Sequence, residues 1–407
     1  MRVAGITAEY NPFHRGHEYQ LQKARELTGA DIVIVVMSGN FTQRGEAAIA
    51  DKWIRSETAV KAGADLVIEL PFLFACSRGE IFASAAVDIL VAAGATHISF
   101  GCETDDFEGL SRAADLMVSE GRALGLLRSE LMKEGLSYAR ANEQAVLRLF
   151  GEEVASCIRE PNNILAVEYL KRIASYREEG RAPEPVPVKR RGSGYRDSNP
   201  SEGFAGATAI RSMEPGEMRK YLPAESMEML EKLLPFPDRE GEMFRLLRGI
   251  VMREDSNSLA GIYPVGEGFE NRIIRAVREA SSMNELMSLL VSGRYTASAV
   301  RRMLANILVG VRSSDADRIL AEDRSAASYL RVLSAGRRGR EYLKILKKRE
   351  DAPPHITNVN RFTEKGTAAA DLLEIDIRAA DMYNLISGHD IVKSSDMVRK
   401  PYIELDR

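Results

Sequence analysis

His14 and His17, three residues apart in the run Asn11-Pro-Phe-His-Arg-Gly-His17, are the side chains in this sequence best placed to do chemistry together. Pro12 ends an extended segment, Gly16 lets the backbone turn closely into a helix, and His17 falls in that helix's first turn. A helix N-terminus offers free N–H groups and the positive end of a dipole, so two imidazoles held there can converge on a phosphate. Charge spreading over non-bridging oxygens during attack at phosphorus would meet fixed donors, with no covalent enzyme intermediate required. The blander reading is two unrelated surface histidines. Only 5 histidines occur in the chain, and this pair follows the first strand-like run, which favours the chemical reading.

Other residues with chemical potential carry two readings each. Thr208 and Arg211, in Gly206-Ala-Thr-Ala-Ile-Arg211, could donate a hydroxyl and a cation to outer phosphates, or simply open a helix as a polar start and a solvated charge. Lys52 and Arg55, one helical turn apart, either neutralise phosphate or form a solvated helix face. Glu9 either orients a substrate or a metal-bound water, or is a buried carboxylate paired to Arg44 or Lys52. Trp53, the sole tryptophan, reads as core more than as a stacking platform for a base. Cys76, Cys102 and Cys157 are odd in number and lack CxxC spacing, against a zinc site or a disulfide framework and in keeping with a reducing compartment. No base partner lies near Cys102 in sequence, so an acyl-cysteine intermediate is not expected.

The elements that must position these groups alternate regularly. Short apolar runs at Val3–Ala8, 32–37, Leu66–Leu70 and 97–100 are separated by helical stretches at 16–27, 51–62 and 80–93. That alternation predicts an α/β fold, a Rossmann-like doubly wound parallel sheet. Ligands of such sheets bind beyond the carboxyl ends of the strands, and the polar segments NPFHRGH, SGNFTQRGE and Gly101-Cys-Glu103 all fall there. Residues 107–149 and Pro161–Ser175 read as helical, and 183–189 as an outer strand before the loop RRGSGYRD. Residues 235–237 form a proline-marked hinge, and 238–349 read as almost wholly helical. An extended piece near 355–360 and a helix around 379–386 complete the chain. Two domains are expected, 1–215 and a mainly α-helical 216–407.

Composition narrows the class. Apolar residues at 45% and charged residues at 28% suit a globular protein with a real core. A net charge of −3 excludes a wholesale basic coat, so any RNA contact must be local. No apolar run has the length of a membrane span or signal peptide, and a soluble, cytoplasmic protein with no membrane partner is expected.

The His-x-Gly-His spacing resembles the signature of the HxGH nucleotidyltransferase superfamily, in which a second signature of the form S/T-x-x-R supplies the mobile phosphate loop. Thr208 and Arg211 match that form. The wider sequence resembles the bacterial tRNA(Met) cytidine acetate ligase family. The matching segments are EYNPFHRGH at 9–17, MSGNFTQRGE at 37–46, DKW at 51–53, ELPF at 69–72, FGCE at 100–103, PNNILAVEYL at 161–170, KRRGSGYRD at 189–197 and TAIR at 208–211. The match is detailed over about the first 215 residues and looser afterwards, through GEGFENR at 266–272 and RYT at 294–296. Ala47, Cys102 and Gly206 depart from the family pattern, which has proline, serine and serine there; the last removes one phosphate-loop hydroxyl.

The resemblance implies a two-step ligase. Acetate would attack the α-phosphate of ATP to give acetyl-adenylate, and the exocyclic amine of the wobble cytidine of elongator tRNA(Met) would take the acetyl group. It implies that His14, His17, Thr208 and Arg211 are catalytic. ATP would be held by the segment comprising Thr7, Ala8, Glu9, Tyr10, Asn11, Pro12, Phe13, His14, Gly16, His17 and Gln20, with Gly101, Asn162, Asn163 and Arg190. Asparagine at a helix start is otherwise a cap, and Arg190 otherwise belongs to a solvated basic loop. No protein metal site is expected, with Mg²⁺ carried by the triphosphate. For tRNA, Arg294, Arg301, Arg302 and Arg312 form one basic cluster, and Arg337, Arg338, Arg340, Lys344, Lys347, Lys348 and Arg349 form another; paired and solvated helix faces are the bland alternative. Two other functions stand against this one, and the superfamily signature alone permits the first. A small-molecule adenylyltransferase of coenzyme metabolism has no use for the arginine-bearing helical half, and a non-catalytic RNA-binding protein would release no pyrophosphate.

Overall fold

The computed structural model describes residues 1–190, 203–362, 366–389 and 392–404. The first half folds as the alternation predicts: β1 (Val3–Ala8), α1 (Arg15–Thr28), β2 (Ile32–Ser38), α2 (Lys52–Lys61), β3 (Leu66–Leu70), α3 (Phe72–Ala75), α4 (Gly79–Ala92) and β4 (His97–Cys102). Next come α5 (Phe107–Ser119), α6 (Gly121–Lys133), α7 (Tyr138–Cys157), α8 (Pro161–Ser175), β5 (Glu184–Lys189) and α9 (Ala207–Arg211). Strands β5, β4, β1, β2 and β3 lie side by side in that order, all parallel, so β1 is central and its carboxyl end opens onto the middle of the sheet edge.

Alternation along β1 sorts side chains onto the two faces. Ala4, Ile6 and Ala8 pack with Leu21 and Ala24 of α1, whereas Val3 joins the core under α4. Gly5 faces α4 so closely that a Cβ there would sit 2.7 Å from the Leu90 side chain. Being covered on both faces, β2 is buried at all seven positions, which is why it reads as an unbroken Ile-Val run.

The helical reading of 238–349 needs correction. Leu330–Ala335 forms a strand, β6, antiparallel to β3, and His355–Ile356 (β7) and Tyr402–Ile403 (β8) both pair with β6. A six-residue run buried at every position has no period to distinguish strand from helix, and only pairing with β3 settles it. Residues 216–407 thus contribute three strands to the sheet of the first half.

A buried ionic cluster joins the two halves. Lys52 Nζ lies 2.7 Å from Glu69 and 2.7 Å from Asp396, which sits in the short helix Ser395–Val398. Arg331 of β6 adds contacts of 3.3 Å to Asp396 and 3.6 Å to Glu69. Asp376 accepts from the Phe72 N–H and the Tyr329 hydroxyl, and burial, with Glu69 nearby, pushes its carboxyl up to about 7. Asp376 therefore carries only part of a negative charge near neutrality.

A second junction lies at the SGNFTQRGE loop. Gly45 (φ 76°) packs against the helix Ala297–Val309, where a Cβ would fall 2.5 Å from the Arg301 backbone. Arg302 donates to the Gln43 carbonyl at 3.2 Å.

Candidate active site

His14 is the N-cap of α1, with extended backbone (φ −131°, ψ 171°). Its Nδ1 accepts from the Gly16 N–H at 3.1 Å, and the His17 Nδ1 accepts from the His14 N–H at 3.3 Å. This reciprocal arrangement is a capping box built from two imidazoles. A ring nitrogen that accepts carries no proton, so each neutral ring keeps its proton on Nε2. The rings stack 3.7 Å apart at 20°. Burial, reinforced by the Arg190 charge, pushes His14 down to about 3; burial, His14 and Arg190 hold His17 well below its ordinary value. Both are neutral at pH 7, and each retains one Nε2–H that capping does not use.

The residues behind the rings set their position. Tyr10 is buried with a left-handed backbone (φ 49°), a conformation costly for a non-glycine residue, and its ring meets His17 edge-on at 4.8 Å and Phe13 at 4.7 Å. Arg55 braces this turn by donating to the carbonyls of Glu9 at 2.5 Å and Ser38 at 3.2 Å, and also to that of Gly39. It thereby ties the carboxyl ends of β1 and β2 together. The Asn11 side chain accepts from the Ile49 N–H at 2.7 Å.

His14, Gly16, His17, Tyr19 and Gln20 form one wall of a cleft; Gly101, Val188, Lys189 and Arg190 face them, with Phe204, Ala205 and Gly206 completing the lining. Arg190 lies along the end of β4, where a Cβ on Gly101 would come within 3.3 Å of its Cγ. Its Nη1 donates to Asn162 Oδ1 at 3.1 Å. Asn163 is buried and accepts from the Glu103 N–H at 2.8 Å. A larger groove of about 690 Å³ between α5 and β5 is chiefly apolar, with Phe107, Leu110, Pro185 and Pro187 in its lining. It holds none of the sequence-predicted residues.

Of the residues singled out from sequence, the fold brings His14, Gly16, His17, Gln20, Gly101 and Arg190 to one cleft, with Asn162 attached through Arg190. Thr7, Ala8, Glu9, Tyr10, Asn11, Pro12 and Phe13 lie outside the lining, along β1 and the turn behind the rings. Thr208 is exposed on α9, just past Gly206, and Arg211 turns back to the Asn11 carbonyl at 2.8 Å and Glu46 at 3.0 Å. Arg191 and most of the loop to Asp197 lie outside the described residues.

Lys52 and Arg55 match neither reading offered for them. Both are buried, one in the ionic cluster and the other on backbone carbonyls, so neither is a solvated face nor a free phosphate ligand. Glu9 is partly buried and not paired to Lys52; it accepts from the Gln43 N–H at 2.7 Å, and burial raises its carboxyl above the ordinary value against the opposing charge of Arg44. Trp53 is buried core. Cys102 is buried, and burial pushes its thiol up to about 11, which disfavours the thiolate.

With that geometry in place, similarity to known proteins is specific. Residues 1–396 match the HIGH Nucleotidyl Transferase family model. A tRNA(Met) cytidine acetate ligase of Thermoanaerobacter sp. (strain X514) is 36% identical over 416 residues, covering 100% of both chains. One of Bacillus licheniformis is 37% identical over 401 residues, covering 94% of this chain and 92% of its own. The chain belongs to the tRNA(Met) cytidine acetate ligase family. The crystal structure of Thermotoga maritima TmcAL superposes with a TM-score of 0.88 at 29% identity, covering 99% of this chain and 100% of that one. A second structure of that protein, with alpha-thio ATP bound, superposes equally well. The α/β fold expected from the strand–helix alternation, and the nucleotidyltransferase type implied by the resemblance, are thereby shown.

Membership in this family makes the residues that sequence reasoning passed over more informative. Tyr19, Lys189 and Phe204 line the cleft, and Glu103 stands behind it. Glu103 was legible only as a polar residue after β4. Phe204 carries no signal in the sequence; its ring lies 6.3 Å from that of Tyr19 in α1.

The depressed histidines predict an acid sensitivity. A group whose folded pKa lies below its unfolded value lets the unfolded chain bind the extra proton, so stability falls as pH drops. For His14 the loss should begin below about 6.5 and continue toward about 3. Urea unfolding between pH 7.5 and 5 should therefore show a steeper loss of stability for the natural chain than for His14→Asn. Equal slopes would mean that His14 is not buried as a neutral ring.

Proposed function

We propose that this chain is an ATP-dependent ligase that activates acetate as acetyl-adenylate and acetylates the wobble cytidine of elongator tRNA(Met). The observation that carries the reading is the capping box. It commits both Nδ1 atoms to the backbone and leaves two Nε2–H donors at a helix N-terminus, opposite Arg190. Fixed donors and a guanidinium around one cleft suit a triphosphate. The name tRNA(Met) cytidine acetate ligase, borne by two relatives that match more than nine-tenths of both chains, supports the acceptor and the acyl group.

In the first step an acetate oxygen bonds to the α-phosphorus and the bond to the bridging oxygen breaks, so pyrophosphate leaves with the electron pair. His14 and His17 steady the non-bridging oxygens by donation from Nε2, and Arg190 holds the phosphate chain. Thr208 and Arg211 join from α9 once Arg211 exchanges Glu46 for phosphate. In the second step the cytidine amine bonds to the acetyl carbon, AMP leaves with the electron pair of the broken C–O bond, and the amine loses a proton. The described lining residues of the cleft include no carboxylate, so the donor set fits phosphate better than a protein-held metal. Mg²⁺ would be held by phosphate oxygens and water and would offset their charge.

Residues 1–215 supply this chemistry, and 216–407 provide the tRNA-facing part. The basic clusters are less free than their count implies. Arg294 pairs with Glu267, Arg301 with Glu240, Arg338 with Asp65, Lys344 with Glu341 and Arg349 with Asp351. Lys347 and Lys348 are exposed.

The test supplies ATP, labelled acetate and total tRNA to the purified chain. Acid-stable label should appear on tRNA only with ATP present. Label transferred equally well from acetyl-CoA without ATP would end the ligase reading.

A further inference from the structure

Glu103 lies outside the cleft lining yet bonds to Asn162, the side chain that accepts from Arg190. Its Oε2 accepts from the Asn163 N–H at 2.9 Å, and its Oε1 accepts from the Asn162 N–H at 3.3 Å and from Asn162 Nδ2. Its own N–H donates to Asn163 Oδ1 at 2.8 Å. The first turn of α8, opened by Pro161, is thus clamped onto the end of β4 by one carboxylate, where the helix dipole favours an anion.

The clamp fixes the orientation of an amide. Because Asn162 Nδ2 donates to the carboxylate, Oδ1 must face the other way, and there it receives Arg190 Nη1 at 3.1 Å. A long arginine side chain that would otherwise sample many rotamers is held over the cleft before a ligand arrives, which lowers the entropy cost of binding. We propose that Glu103 is a positioning residue that holds the Arg190 guanidinium ready for the triphosphate, acting through Asn162. The inference rests on the reading of Arg190 as a phosphate ligand.

Glutamine at position 103 keeps the size but gives up the charge and one acceptor oxygen. Asn162→Ala leaves both backbone N–H groups of α8 on Glu103 and removes the amide that links the carboxylate to Arg190, so it serves if Glu103→Gln folds poorly. The experiment measures the dissociation constant of ATP for the full chain, with melting temperature recorded for each variant. Arg190→Ala should weaken ATP binding about tenfold or more, and Glu103→Gln and Asn162→Ala about fivefold each. Combining Glu103→Gln with Arg190→Ala should add nothing to Arg190→Ala alone, because two changes on one pathway are not additive. A purely structural cap would lower the melting temperature and weaken ATP binding by the same factor with or without Arg190; that result overturns the inference, as does unchanged binding in both single variants. Unchanged binding in Arg190→Ala alone would instead remove the phosphate role of Arg190, a separate and recognisable failure that takes this inference with it.

Discussion

His17→Ala should lower acetate-dependent pyrophosphate release by about 100-fold or more, the scale of losing one fixed donor to a developing oxyanion. The same substitution also removes half of the capping box, which costs only about 1 kcal/mol of stability. His14→Asn separates the two effects. Asparagine is a good N-cap, so the helix start survives, but no Nε2–H remains to donate. Its rate should fall on a similar scale while the melting temperature moves little. Rates within about threefold of the natural chain for both variants would show that these rings cap a helix and do nothing to phosphate. An intact rate with a large loss of stability would say the same.

Lys52→Met should destabilise the fold by about 3–5 kcal/mol, the range for removing one partner of a buried ion pair. The reason is electrostatic, not steric: Glu69 and Asp396, both buried, would be left sharing Arg331 alone. Because Asp396 belongs to the C-terminal helix Ser395–Val398, that segment should loosen first. Proteolysis near it should rise in the variant. Urea unfolding gives the magnitude, and a change under about 0.5 kcal/mol would contradict the buried cluster. A phosphate-neutralising lysine predicts the opposite pattern, with stability kept and ATP affinity lost.

These two predictions fall on opposite sides of what a linear sequence discloses. The histidine motif is legible because its chemistry is local: residues 11–17 contain the turn, the cap and both rings. The strand–helix alternation around it is legible for the same reason, since period and length are properties of short windows. Lys52 is not, because its partners lie 17 and 344 residues away and nothing in the DKW segment announces them. Strand β6 is not legible for the same reason, its identity depending on pairing with β3 across the molecule.

Sequence alone determined an α/β sheet with paired imidazoles just past its first strand, and a family resemblance strong enough to suggest the reaction. Tertiary structure alone decided which tautomer those imidazoles hold, that Arg55 braces the turn behind them, and that Glu103 meets the asparagine that accepts from Arg190. The physical reason is that a hydrogen-bond partner or a burial depends on what the chain brings near in space, and residue type and spacing do not encode that distance.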